Sequence, residues 1–261
     1  MAEAYWYARP GHTRAPGETY GTVGCVRTSH PSDHRTAGAT PAPSAPPPDV
    51  PEVVKPLLRG WLHQFFAPVC LLGGLALVVF GPTVPVRLAC AVYTLSALLL
   101  FTNSAFYHRG NWSPRAHALF RRVDHANIFV FIAGSYTALA VGMLHGRSLH
   151  TLLGLIWACA LVGVLFRVFW ISAPRWLYVA LYLAMGWAAI GWMGQFWHAG
   201  GPFVVGLIAA GGVIYSAGAV VYGLKRPNPW PAVLGFHEIF HSCTILAALC
   251  HYLAIWLVLF G

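Results

Sequence analysis

From residue 61 to its carboxyl end the chain alternates long apolar runs with short polar breaks. Runs of about 20 residues, the length that crosses roughly 30 Å of hydrocarbon as a helix, can be marked at 61–80, 86–107, 123–144, 149–170, 176–197, 202–224 and 234–260. The breaks read GPTVP, RGNWSPR, HGRS, SAPR, HAGGP and KRPNPWP, and are rich in the Pro and Gly that end helices and turn chains. The pattern predicts an all-α domain over residues 55–261, a polytopic bundle of seven transmembrane helices. Residues 1–54 differ: they are rich in Pro, Ala and Gly and close on PAPSAPPPDVPE. Too little apolar surface is present to build a core, so a disordered tail is expected. The tail also lacks the apolar centre of a signal peptide.

Composition agrees with a bilayer. Hydrophobic residues make up 57% of the 261 positions and charged ones only 9%, against about 25% charged in soluble domains. The formal charge of +9 would suit nucleic acid in a soluble protein, but here it is read as cytoplasmic loops facing anionic headgroups, with no nucleic-acid partner. Short loops rich in Lys and Arg stay inside. With the amino terminus inside, the inner flanks carry Lys55, Arg59, Arg109, Arg115, Arg121, Arg122, Arg167, Arg175, Lys225 and Arg226, and the outer flanks only Arg87 and Arg147. The expected setting is a multi-pass protein of the cell membrane with a cytoplasmic tail and membrane lipids as neighbours. Six cysteines without a C-x-x-C imply no disulfide framework.

Ionisable residues within spans are expensive and tend to mark function. After Glu52 only two acids remain, Asp124 and Glu238, each beside a histidine. TNSAFYHRG ends the second span, RRVDHANIF begins the third and GFHEIFH begins the seventh. The end of an even span and the start of an odd one share a side of the membrane, so all three clusters fall at one, cytoplasmic, depth. His237 and His241 are four apart and share a helix face, as do Ser104 and His108. Three imidazoles, His108, His237 and His241, can then converge as tetrahedral zinc requires, with one position left for water. Asp124 is placed to hydrogen-bond that water or a ligating histidine. His125 points about 100° away from Asp124 and is read as a supporting or loop-facing residue. His251 lies some 15 Å from His241, too far to join. His63, His117, His145, His150 and His198 are read as solvated residues at span ends or in loops.

H-E-x-x-H at 237–241 also suggests a zinc protease. A metzincin would continue to Gly and His at the places held by Thr244 and Ala247, and no acid follows Glu238. An intramembrane protease borrowing Asp124 would usually present that Asp before Gly, where His125 stands.

NSAFYH, FRRVDHANIFVFIAGSYT and GLKRPNPWPAVLGFHEIFH resemble the S-x-x-x-H, D-H with A-G-x-Y-T, and H-x-x-x-H segments of the haemolysin III family. That family lies within the superfamily of progestin and adiponectin receptors, with alkaline ceramidases more distant. The likeness runs from about residue 54 to the end, and departs from the family where Ala138 stands in place of a common proline. It implies a seven-helix bundle with zinc near the cytoplasmic face. The ligands would be His108, His237 and His241, with Asp124 holding the metal's water and Ser104 beside it. In the receptor and ceramidase branches such a site is associated with hydrolysis of lipid amides such as ceramide.

These readings converge on a zinc-dependent hydrolase of a lipid amide or ester. Asp124 would be the base and Ser104 a hydrogen-bond donor to the developing oxyanion. Alternatives from other classes are a receptor or stability factor with structural zinc, and the pore that the family name suggests. Apolar spans made mainly of Gly, Ala, Leu, Val and aromatics argue against a wide pore.

Overall fold

A computed structural model describes residues 55–261; the expected disordered tail, 1–54, lies outside the described residues. The order of elements is α1 (Trp61–Phe80), α2 (Val84–Arg109), α3 (Pro114–Met143), α4 (Gly146–Phe169), α5 (Arg175–Gly186), a short 3-10 helix (Ala188–Trp192), α6 (Met193–Leu224) and α7 (Phe236–Phe260). No strand occurs among the described residues. Six helical stretches are long and apolar enough to cross a bilayer: α1 to α4, the run Arg175–Leu224, and α7.

The expected spans at 176–197 and 202–224 thus fall within one helical stretch of 50 residues. A straight helix of that length would measure about 75 Å. This one is not straight. Trp187 Nε1 donates to Ser216 Oγ at 3.0 Å, and the Arg175 guanidinium donates to the Tyr222 carbonyl at 3.2 Å. Both pairs are centred near residue 200, so the chain doubles back there. Gly201 makes the reversal, at φ 73° and ψ 178°, a conformation open to glycine because no Cβ meets the backbone. Pro202 follows and has no N–H to continue the ladder.

α3 starts earlier than the apolar run at 123 suggests. Ser113 accepts from the Ala116 amide at 3.4 Å and Pro114 opens the helix, a stop-and-start signal that outweighs the polar first turns. Asp124 therefore sits in the third turn of α3, about 15 Å from its start. α3 is also the central element: 72% of its most apolar window is buried, against 44% or less in the other spans. Its small residues Ala133, Gly134, Ser135 and Ala138 explain why. They let neighbouring backbones close in, and a Cβ at Gly134 would run into the Ser96 side chain on α2.

Candidate metal centre

The last turn of α2 and the first turns of α7 meet at one end of the bundle. Ring centroids lie 4.7 Å apart for His108 and His237, 5.2 Å for His108 and His241, and 4.5 Å for His237 and His241. One ring nitrogen from each falls within 4.8 Å of the others, and the Nε2 atoms of His108 and His237 are 3.1 Å apart. With metal–nitrogen bonds of 2.0–2.1 Å, tetrahedral ligands stand about 3.3 Å from one another. The donor set and its spacing fit a bound cation. So does the chemistry of burial: His241 Nδ1 is enclosed without a hydrogen-bond partner, a state that costs free energy unless something satisfies it. This buried triad could hold a metal ion.

α3 brings the carboxylate. Asp124 Oδ2 is 3.9 Å from His108 Nε2. Ser104, one turn before His108, hydrogen-bonds that carboxylate. Ser104, His108, Asp124 and His241 are all buried. The cavity there holds about 360 Å³ of atom-free space, its open mouth included, between Asp124, His125, Ile128, Tyr222, His237 and His241.

Two neighbours turn out differently from expectation. His63, read as a solvated residue, is buried at 3% exposure. Its ring stacks on His241, centroids 3.8 Å apart and planes at 16°. The signal was present: His63 opens an odd span, and span parity puts it on the same side as the other three histidines. Its supporting surface is Phe101, edge-on at 4.9 Å. Arg59, expected only as a flanking charge, forms an ion pair with Glu238. The second Glu238 oxygen accepts from the Gly235 amide at 2.9 Å. Glu238 thus caps α7 and neutralises a cation, and neither oxygen is spare for proton transfer at the triad.

The remaining histidines separate by environment. His125 is buried beside Asp124, but its Nδ1 meets the Arg121 carbonyl at 2.8 Å and its Nε2 the Tyr222 hydroxyl at 3.3 Å. His145, His150 and His198 are exposed, and His117 is half-buried. His251 lines a second, larger cavity deeper in the bundle.

That cavity encloses about 940 Å³ of atom-free space, its mouth included, and Ile128 is part of its wall and of the metal-site cavity's wall. Aliphatic and aromatic side chains from α3, α5, α6 and α7 make up most of its lining. One face of α7 serves both: His237 and His241 at the triad, then Thr244, Ala248 and His251 along the larger chamber.

The sequence profile of the family described as Haemolysin-III related matches residues 52–252, which takes in every residue of the site. The chain belongs to the haemolysin III-related family. Among relatives, this haemolysin III-related chain is similar to the Hemolysin-3 homolog of Bacillus subtilis (strain 168), 30% identical over 151 residues, 58% of this chain and 68% of the relative. It is similar to Hemolysin-3 of Bacillus cereus, 31% identical over 153 residues, 59% and 67% of the two chains. It also resembles the Heptahelical transmembrane protein ADIPOR2 of Oryza sativa subsp. japonica, 30% identical over 182 residues, 63% and 79%. A haemolysin III-related protein with several apolar helices is a membrane protein, and the multi-pass character expected of it agrees with the helices described above.

Proposed function

We propose that this protein is a seven-pass protein of the cell membrane, amino terminus in the cytoplasm, that holds zinc on His108, His237 and His241 and hydrolyses a lipid amide or ester. The observation that carries this reading is the shared wall at Ile128. A polar centre stands beside an apolar-lined cavity, the two separated by the Ile128 side chain, which suits a substrate with one polar group to cleave and an apolar tail. The reversal at Gly201 supports the seven-pass count by dividing one helical stretch into two candidate crossings. The inside amino terminus follows from the basic flanks.

Bound zinc would supply Lewis acidity and bring its water's pKa to near 7. Asp124, whose Oδ2 is 3.9 Å from His108 Nε2, would serve as the general base that takes a proton from the attacking water and returns it to the leaving nitrogen or oxygen. Ser104 spends its single O–H on the Asp124 carboxylate, so its role is to aim that base, and it has no second hydrogen for an oxyanion. Burial excludes bulk water and strengthens each of these contacts.

A structural centre is the second reading, favoured by the short gap of 3.9 Å between Asp124 and His108: a small shift would let the carboxylate close the metal's fourth position. Metal analysis of detergent-purified wild type beside His237→Ala, together with assay of lipid amides and esters, separates the two. The hydrolase reading expects about one zinc per chain and turnover in the wild type, both lost in the variant. Zinc with no turnover of any lipid amide or ester favours the structural centre, and wild type without metal overturns both.

A further inference from the structure

The larger cavity carries an unspent hydrogen bond. Its wall holds several polar side chains, and nearly all of them are satisfied within the wall. Ser135, Ser216 and Thr244 donate to the carbonyls four residues back, of Phe131, Gly212 and Phe240. Trp187 donates to Ser216, Tyr136 donates to the Gly186 carbonyl at 2.8 Å and accepts from the Ala189 amide, and His251 reaches the backbone of Ile208. Tyr215 is the exception. It lines the cavity from α6, and its hydroxyl is buried with no partner.

A buried hydroxyl without a partner costs about 1–3 kcal/mol, and in an apolar chamber within a membrane no bulk water relieves it. The height of the group is set by the helix pair. α6 and α7 run antiparallel, with Gly218 against Cys243 and Gly211 against His251. Tyr215 lies between these levels, one to two turns deeper than His241. Its ring is still within 6.1 Å of Phe240, which also lines the metal-site cavity.

We propose that Tyr215 is a specificity-determining residue: it hydrogen-bonds an oxygen borne part-way along the lipid chain, so that the cavity prefers hydroxylated chains over plain hydrocarbon ones. This rests on the reading above only in taking the occupant to be a lipid chain. A plain chain leaves the phenol unpaired, whereas a hydroxyl at the right carbon satisfies it and has its own desolvation offset in return.

The test is a binding assay on the full chain in detergent, displacing a fluorescent fatty acid with saturated competitors of one length. One competitor is unsubstituted and the others carry a hydroxyl at successive mid-chain carbons. Wild type should prefer one hydroxyl position by about tenfold. Tyr215→Phe should lose that preference while binding the unsubstituted chain as before, and its lipid-free form should melt no lower than wild type, since the substitution removes an unsatisfied group. No preference in the wild type, meaning that a water fills the role, overturns the proposal. So does a preference that survives in Tyr215→Phe, or a variant that melts lower and binds every probe weakly. Repeating the assay in His237→Ala reads the subsite without turnover, so a failed hydrolase reading leaves this result standing on its own.

Discussion

The imidazole of His63 lies flat against that of His241, centroids 3.8 Å apart and planes at 16°. The two come from opposite ends of the described chain, and the stacking leaves His241 little freedom to swing away from the triad. Groups that fix a ligand's ring orientation typically contribute 10–100-fold in metal affinity. His63→Leu should therefore weaken metal binding about tenfold while leaving the triad's own residues in place. Competition with a chelator of known affinity measures it, and an unchanged affinity would show the stacked ring to be packing alone.

Asp124 Oδ2 stands 3.9 Å from His108 Nε2, at the edge of the triad. Asp124→Asn should retain the metal and lose about 10³-fold in turnover of whatever lipid the wild type hydrolyses, the scale of general base catalysis. Metal content and rate are measured on the same preparation. Retained turnover would remove Asp124 from the chemistry.

Glu238 is the acid a protease reading would make the base. Its part-buried ion pair with Arg59 and its contact with the Gly235 amide predict a different phenotype. Glu238→Gln should lower stability by about 2 kcal/mol, because the Arg59 guanidinium loses the carboxylate charge of a part-buried contact, while metal content stays near wild type. Thermal unfolding in detergent reads the first and elemental analysis the second. Normal stability with abolished turnover would restore Glu238 to the mechanism.

Gly134 sits where α2 and α3 close in, and a side chain there meets Ser96 and the Val92 carbonyl. Backbone cannot yield as a flexible side chain can, so Gly134→Val should destabilise the bundle by about 2 kcal/mol. Gly154, which has open space around it, supplies the control: Gly154→Ala should leave the melting temperature within a degree or two of wild type.

Apolar periodicity was enough to place most helices, because a membrane span must be long and nearly uncharged. It misplaced the start of α3, whose first turns, PRAHALFRR, are polar; there the signal was the Ser113–Pro114 pair and not hydropathy. It divided the stretch from Arg175 to Leu224 at the HAGGP break, and the turn there rests on the backbone conformation of Gly201. Span parity brought His108, Asp124, His237 and His241 to one depth, and they are found together. The same rule covers His63, which was read as solvated because a lone histidine at a span end carries no motif. The link between Arg59 and Glu238 joins residues 179 apart, and no local pattern announces such a pair. The Tyr215 hydroxyl was equally silent, because only a wall of known shape reveals that its neighbours are already satisfied.

The single face of α7 that runs from His237 to His251 ties two events into one rod. A helix cannot turn its upper half without turning its lower, so whatever fixes the imidazoles also fixes the shape of the chamber. Filling the chamber should then tighten the hold on the cation, and removing the cation should loosen the hold on the lipid by the same factor, as thermodynamic reciprocity demands.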